Sequence, residues 1–328
     1  MKIHTDIVKL HINNPVVTIG IFDGVHVGHL SVIDHLKKRA KELNGESVII
    51  TFWPHPRLVL SEQKQNIRFL NSLEEKQILL EKAGIDHLII IPFTKRFSRL
   101  SAKKFIKKYL LKKIRTKHLI IGFNHQFGRK RKGNYKVLKK YADKYKFSIE
   151  KLDAILIEKE KVSSSIIRES LEKGNLEISN KYLGYDYLLR GIIVKGKKVG
   201  RTIGFPTANI ELDDRCKLIP KDGVYAVFVA FERKVYKGML NIGIRPTMKD
   251  TTLRKYIEVH ILNFDKDIYN QKITIIFVSR IREEQKFDGL DSLKIQLEKD
   301  KKDIIPILDK SNSKIISSNK LYHERNIS

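Results

Sequence analysis

The chain has 328 residues, 41% of them hydrophobic, enough to build buried cores for about two domains and too apolar for global disorder. It holds no apolar run of about 18 residues, which excludes a membrane-spanning helix, and one cysteine, Cys216, which excludes an internal disulfide framework and a cysteine zinc cage. Its 65 Lys and Arg against 37 Asp and Glu leave a net charge of +28, open to a nucleic-acid reading and to a plainer one, lysine bias on solvated faces.

Residues 1–10 are polar, with an acid at Asp6, and lack the basic-then-apolar form of a signal peptide, so the expectation is a soluble, cytoplasmic protein. Residues 16–22, 47–53, 87–93 and 117–123 are short apolar runs of strand length. Between them, 30–43, 73–83, 102–114 and 135–145 carry amphipathic helical spacing, with Asn44-Gly45 and Gly84 as stops. Strands alternating with helices predict a parallel α/β sheet. A further helix over 164–172 stops at Gly174. From about 188 the rhythm changes to short strands at 189–194, 223–231, 234–242, 256–262 and 272–278, as in a small barrel, followed by a helix over 290–300. The expected domains are 1–183 and 184–305, with 306–328, rich in Ser, Asn and Lys, as a disordered tail.

The first strand runs into Asp23-Gly24-Val25-His26-Val27-Gly28-His29 and then a helix. His26 and His29 thereby stand at a helix N-terminus, where free N–H groups and the dipole favour anions. Gly24 and Gly28 let the backbone approach a phosphate. Imidazoles there can donate hydrogen bonds as charge moves onto a leaving pyrophosphate. Two satisfied surface histidines, or half a metal site, are the plainer readings. Residues 20–29, Gly-Ile-Phe-Asp-Gly-Val-His-Val-Gly-His, resemble the H-x-G-H signature of the nucleotidyltransferases. With Thr51-Phe-Trp-Pro-His-Pro56 after the second strand, they resemble the adenylyltransferase half of the bacterial bifunctional riboflavin kinase/FMN adenylyltransferases, the FAD synthetases. The resemblance implies ATP contacts from Gly20, Phe22, Gly24, His26, Gly28 and His29, catalytic roles for His26 and His29, and flavin contacts from His55 and Pro56.

Residues 122–133 resemble that family's flavin loop, which implies flavin contacts from Asn124, Phe127 and Arg131. Asn124 stands where the family usually has Asp, keeping a carbonyl but removing a charge. Residues 162–168, Val-Ser-Ser-Ser-Ile-Ile-Arg, resemble its Ile-Ser-Ser-Thr-x-Ile-Arg motif. Ser163 and Ser164 at a helix start, with Arg168 one turn on, can hold ATP phosphates; alone they would read as a serine cap and a solvent-facing arginine.

In 191–210, Gly196, Gly200 and Gly204 make a loop whose backbone can close over phosphates. Thr207 and Asn209 alternate on an extended segment, so both face one way, where a hydroxyl and an amide oxygen can ligate a Mg²⁺ that also holds ATP. The string resembles the riboflavin kinase signature ending Gly-Phe-Pro-Thr-Ala-Asn, and the likeness continues through 222–226, 241–247, 257–262 and 281–287. In 257–262 the alternation puts Glu258 and His260 on one face of a half-buried strand. A carboxylate beside ATP suits a general base for a primary hydroxyl. The resemblance makes Glu258 that base for the ribityl hydroxyl of riboflavin, leaves His260 structural, and implies flavin contacts from Asp222, Tyr225 and Arg282.

The resemblance covers about residues 14–303. It implies a Rossmann-like α/β nucleotidyltransferase (H-x-G-H) domain followed by an all-β, six-stranded flavokinase barrel with a C-terminal helix. It implies two reactions, riboflavin to FMN and FMN to FAD, with Mg²⁺ accompanying ATP. The expected partners are small molecules, with no specific nucleic acid, no membrane, and a monomer or weak homo-oligomer. Two rivals stand: a kinase whose adenylyltransferase half is weakened at Asn124, and a basic nucleic-acid module, although no recognition helix, aromatic RNA platform or zinc finger is visible.

Overall fold

The computed structural model describes residues 1–7, 10–62, 67–123, 125–153, 156–157, 160–196, 199–247 and 250–316; Asn124 lies outside the described residues. Packing divides the chain into two compact units, Met1–Ser164 and Ser165–Ser328.

The first unit is built on β1 (Lys2–His4), β2 (Val16–Ile19), β3 (Ser47–Trp53), β4 (His87–Pro92), β5 (His118–Gly122) and β6 (Ser148–Leu152). They form one sheet in the order β1-β4-β3-β2-β5-β6, with every pair parallel. The inner strands are near-continuous apolar runs, because parallel strands are covered on both faces; Val17, Val48, Ile50, Leu88 and Leu119 are fully buried. The connecting helices include Val27–Glu42, Leu73–Lys82 and Tyr135–Tyr145. The expected helix over 102–114 starts as Ala102–Phe105 and continues in the wider turns of a π-helix over Ile106–Ile114. Strand order reverses between β2 and β5. Loops leaving the carboxyl ends of those two strands diverge, which opens the crevice where sheets of this type bind ligands. A short hairpin pairs β7 (Leu156–Ile157) with β8 (Glu160–Lys161).

In the second unit, β9 (Leu188–Val194), β10 (Ala208–Leu212), β11 (Gly223–Phe231), β12 (Lys234–Thr247), β13 (Asp250–Ile261) and β14 (Lys272–Arg282) close into an antiparallel barrel, β10-β13-β12-β11-β14-β9. Its interior is marked by Gly238, where a Cβ would meet methyls of Val227, Val229 and Val259 at 3.1–3.2 Å. Helix Leu176–Leu183 belongs with the barrel: Asn180 Nδ2 donates to the Phe277 carbonyl at 3.0 Å, and Asn180 Oδ1 accepts from the Tyr187 N–H at 2.8 Å. By packing, the division therefore falls before the boundary read after residue 183.

The last helix, Leu290–Ile316, corrects an expectation, since the tail read as disordered from 306 is helical to Ile316. Ile304 and Leu308, both fully buried, flank Pro306 and hold the helix through it. Burial there outweighs the loss of one backbone donor. Residues 317–328 lie outside the described residues.

Candidate functional site

Beyond β2 the loop adopts a backbone shape that side chains resist. Phe22 (φ 52°), Gly24 (φ 89°) and Val25 (φ 36°) all lie at positive φ. Such values persist only where the surroundings over-determine them, and they gather at ligand sites. A Cβ on Gly20 would lie 2.8 Å from the Phe22 ring, so the ring folds back only over a glycine. Asp23 ties the loop down. Its carboxylate accepts from the N–H groups of Leu70 (2.9 Å) and Asn71 (3.3 Å), and its carbonyl accepts from Ser164 Oγ at 2.8 Å.

His26 caps helix Val27–Glu42, its Nδ1 accepting from the His29 N–H at 3.3 Å. The neutral ring therefore carries its proton on Nε2 and presents a donor there. The His29 ring stacks on it, with centroids 3.7 Å apart and planes 16° off parallel. His29 Nδ1 is buried with no hydrogen-bond partner among the described residues. Burial pushes His26 down to about 4. Burial, then the nearby His26 and Lys76, hold His29 well below the usual imidazole range. Both rings are neutral donors at pH 7.

Around this loop the structure gathers Gly20, Phe22, Gly24, His26, Gly28, His29 and Ser164, with Ser163 half-buried just before. The other expected residues are placed differently. Arg168 donates to Ser165 Oγ at 3.2 Å and packs with the second unit. His55 caps the short helix Pro56–Leu60 by accepting from the Arg57 N–H at 3.1 Å, and stacks on Phe69 at 4.1 Å. Phe127 is buried in the core against Phe105, and Arg131 stands exposed at φ 57°.

In the barrel, Val259 faces inward and Glu258 therefore faces out, since neighbours on a strand alternate. Glu258 lies in register with Asn209 on one side and Asn241 on the other. Directly opposed residues share a face, so Asn209, Glu258 and Asn241 form one row across three strands. Thr207, two residues before Asn209, is exposed beside it. His260, on the same face, donates from Nδ1 to the Pro206 carbonyl at 2.8 Å and so anchors the start of the Thr207–Asn209 segment.

The glycine-rich loop packs against this row. A Cβ on Gly196 would overlap the Asn209 side-chain amide, and one on Gly200 the Phe205 carbonyl. Gly204 turns the chain at φ 84°. A cavity of about 390 Å³ opens beside Thr207, lined also by Arg201, Pro206, Val259, Asp265 and Tyr269. The remaining flavin residues are already engaged. Tyr225 is fully buried against Phe277 and donates to the Lys221 carbonyl, and burial raises its hydroxyl to about 12. Arg282 grips the buried Asp300 through Nε and Nη2 at 2.7–3.1 Å and donates from Nη1 to the Glu283 carbonyl at 2.9 Å. The Asp222 carbonyl accepts from Arg280 at 2.8 Å.

Sequence reading missed four features. Lys76 is buried beside Trp53 and could have been noticed as a lysine in line with Leu79 and Leu80 on one helical face. His125 has a buried Nε2 without a partner among the described residues. Asn241 Nδ2 donates to Tyr256 OH (3.2 Å), which donates to Glu284 Oε1 (2.7 Å), beside Glu258. Asp23 stands within the motif, but its clamp on Leu70, Asn71 and Ser164 carries no signal in the sequence.

Against known families, residues 9–166 match FAD synthetase and residues 183–308 match riboflavin kinase. Curated relatives described as bifunctional riboflavin kinase/FMN adenylyltransferase are similar over nearly their whole length. That from Listeria monocytogenes is 40% identical over 88% of this chain and 91% of its own. That from Bacillus subtilis is 37% identical over 88% and 91%, and that from Escherichia coli 36% over 87% and 90%. A crystal structure described as a macrolide-efflux protein from Streptococcus pneumoniae shares the fold, with a TM-score of 0.83 and 31% identity over 92% of this chain and 97% of its own. Among the described residues no helix is long and apolar enough to cross a membrane.

Proposed function

The chain belongs to the bifunctional riboflavin kinase/FMN adenylyltransferase family, and from that premise we propose which of its residues perform each reaction. It phosphorylates riboflavin to FMN with ATP, then adenylylates FMN to FAD with release of pyrophosphate. Residues 184–305 carry the kinase and residues 1–183 the adenylyltransferase. It works in the cytoplasm on small molecules, as a monomer or weak homo-oligomer with no specific nucleic-acid partner.

In the kinase, Glu258 takes the proton of the ribityl 5′-hydroxyl as that oxygen attacks the γ-phosphorus of ATP. The row Asn209–Glu258–Asn241 is the observation that carries this assignment, because it puts a carboxylate between two amides next to the glycine-rich loop. Thr207 and Asn209 offer hard oxygen donors, and Asn209 fills the space that Gly196 leaves for it, so the pair fits a Mg²⁺. Mg²⁺ is usually held by one or two protein groups together with substrate phosphates and water, which suits a two-residue site of this kind. Bound there, Mg²⁺ would supply charge neutralisation to the phosphates. Gly196, Gly200 and Gly204 bring backbone N–H groups to them. Asp222 and Arg282 border the flavin, with Arg282 reaching it by sharing its Asp300 pair, and Tyr225 supports them from the core.

In the adenylyltransferase, an oxygen of the FMN phosphate attacks the α-phosphorus of ATP directly, so no protein nucleophile is required. His26 Nε2 and His29 donate to the departing pyrophosphate. Gly20, Phe22, Gly24 and Gly28 shape the nucleotide pocket, and Ser163 and Ser164 hold its outer phosphates, a role that the family motif extends to Arg168. His55, Pro56, Asn124, Phe127 and Arg131 form or support the flavin side. Chromatography after incubation with riboflavin, ATP and Mg²⁺ tests the whole reading, which expects FMN and then FAD; FMN accumulating without FAD overturns the second half.

A further inference from the structure

Lys76 lies on the apolar stripe of helix Leu73–Lys82 and is 1% exposed. Its Nζ stands over the Trp53 ring, 5.7 Å from the centroid. The carboxylate that influences it is Asp23, and that group already accepts from the Leu70 and Asn71 N–H groups. Among the described residues, Lys76 Nζ has neither a hydrogen bond nor an ion pair. Buried ammonium groups are almost always hydrogen-bonded or paired, because an uncompensated buried charge is strongly destabilising. Close by, His29 Nδ1 is also buried without a partner, and the N-terminus of helix Val27–Glu42 adds positive potential. An ammonium, an unfilled imidazole and a helix start at one place describe the complement of a polyphosphate.

We propose that Lys76 is a further phosphate-binding residue of the adenylyl-transfer site, its ammonium donating to the ATP phosphates beside His26 and His29 and remaining on the pyrophosphate as it leaves. The inference rests on the reading of residues 20–29 as that site. During the step a P–O bond forms between the FMN phosphate and the α-phosphorus, and the bond from the α-phosphorus to the bridging oxygen breaks. The electron pair goes to pyrophosphate. Lys76 gives hydrogen bonds and no proton, so the balance needs nothing further. The Trp53 ring holds the ammonium in place when the site is empty.

The test uses the full chain and three variants, Lys76→Met, Lys76→Gln and Lys76→Arg. FAD formation from supplied FMN is followed at varied ATP, the reverse reaction at varied pyrophosphate, and riboflavin phosphorylation serves as an internal control. Expected for Lys76→Met is a 10- to 100-fold loss in kcat/KM for ATP and a matching loss for pyrophosphate, the size of one charge-assisted hydrogen bond. KM for FMN and the kinase rate should stay within twofold, and Lys76→Arg should regain some of the loss. A folded Lys76→Met with FAD formation within twofold of the parent overturns the proposal. So does an equal loss toward ATP and FMN joined to a lowered Tm, which would mark a packing role. If Lys76→Met fails to fold, the same criteria apply to Lys76→Gln, and Lys76→Arg losing as much as Lys76→Gln also overturns it. A parent chain that makes no FAD would overturn the underlying reading instead.

Discussion

His26 is 6% exposed in a crevice of the parallel sheet, while Glu258 and Asn209 are half-buried and Thr207 exposed on the outer face of a closed barrel. The first site is made by burial. Imidazoles are held neutral, a cation is stripped of water, and an acid, Asp23, is spent on tying three chain segments together. The second is made by register, with side chains from three strands brought level by the hydrogen-bond ladder and left open to solvent. The difference matches the chemistry. Adenylyl transfer needs donors preorganised in a dry pocket for a pyrophosphate that leaves without a proton. Hydroxyl phosphorylation needs a base that can accept a proton and return it to water.

The sharpest way to break this contrast is a crossed pair of substitutions. Glu258→Ala should lower FMN formation by about 10²–10⁴-fold, the usual worth of a general base, and leave FAD formation from supplied FMN unchanged. His29→Ala should do the reverse, with a loss of about 10²–10³-fold in FAD formation. Product quantification by chromatography reads both, and equal loss of both activities in either folded variant would dissolve the division. Next in size, Gly196→Ala should push the Asn209 amide aside and cost the kinase about 10–100-fold while its Mg²⁺ requirement rises, because misplacement near 1 Å carries a penalty of that order. Kinase assays across a Mg²⁺ series would show it.

The smallest effect concerns acid stability of the first unit. His26 falls to about 4 from 6.5 on folding, so between those values the unfolded chain binds more protons and stability drops as pH falls. The shift corresponds to about 3 kcal/mol for this ring, fully present above pH 6.5 and gone below 4. Fluorescence of Trp53, the single tryptophan, should report melting of this unit earlier at pH 4 than at pH 7. His26→Asn should narrow the difference, leaving the part that comes from His29, which burial also holds low.

Much of the fold was legible because inner strands and amphipathic helices write their burial into the sequence. Ser47–Trp53, Gly223–Phe231 and Tyr135–Tyr145 match their expected limits. The edge strands Lys2–His4 and Ser148–Leu152 did not announce themselves, since polar edge strands carry no apolar run. Strands Lys234–Thr247 and Asp250–Ile261 extend past their apolar stretches because pairing with each other sustains them. Of the residues proposed for the two sites, His26, His29, Thr207, Asn209 and Glu258 stand in motifs that single them out. Asp23, Lys76 and the Asn241–Tyr256–Glu284 chain are not singled out in this way, because their roles depend on what lies across the fold. The sequence charge of +28 likewise names no site, whereas one buried lysine does.

The row Asn209–Glu258–Asn241 has a consequence for folding. Alternation along β13 means that sliding it by one residue would turn Glu258 into the apolar lumen and Val259 out to water. A barrel closed in that register would bury an unpaired carboxylate and expose a core valine, so the same slip that removes the proposed base also breaks the core. With Glu258 proposed as the base, turnover of riboflavin would also report strand alignment, returned by molecules in which three strands have met at the right rung.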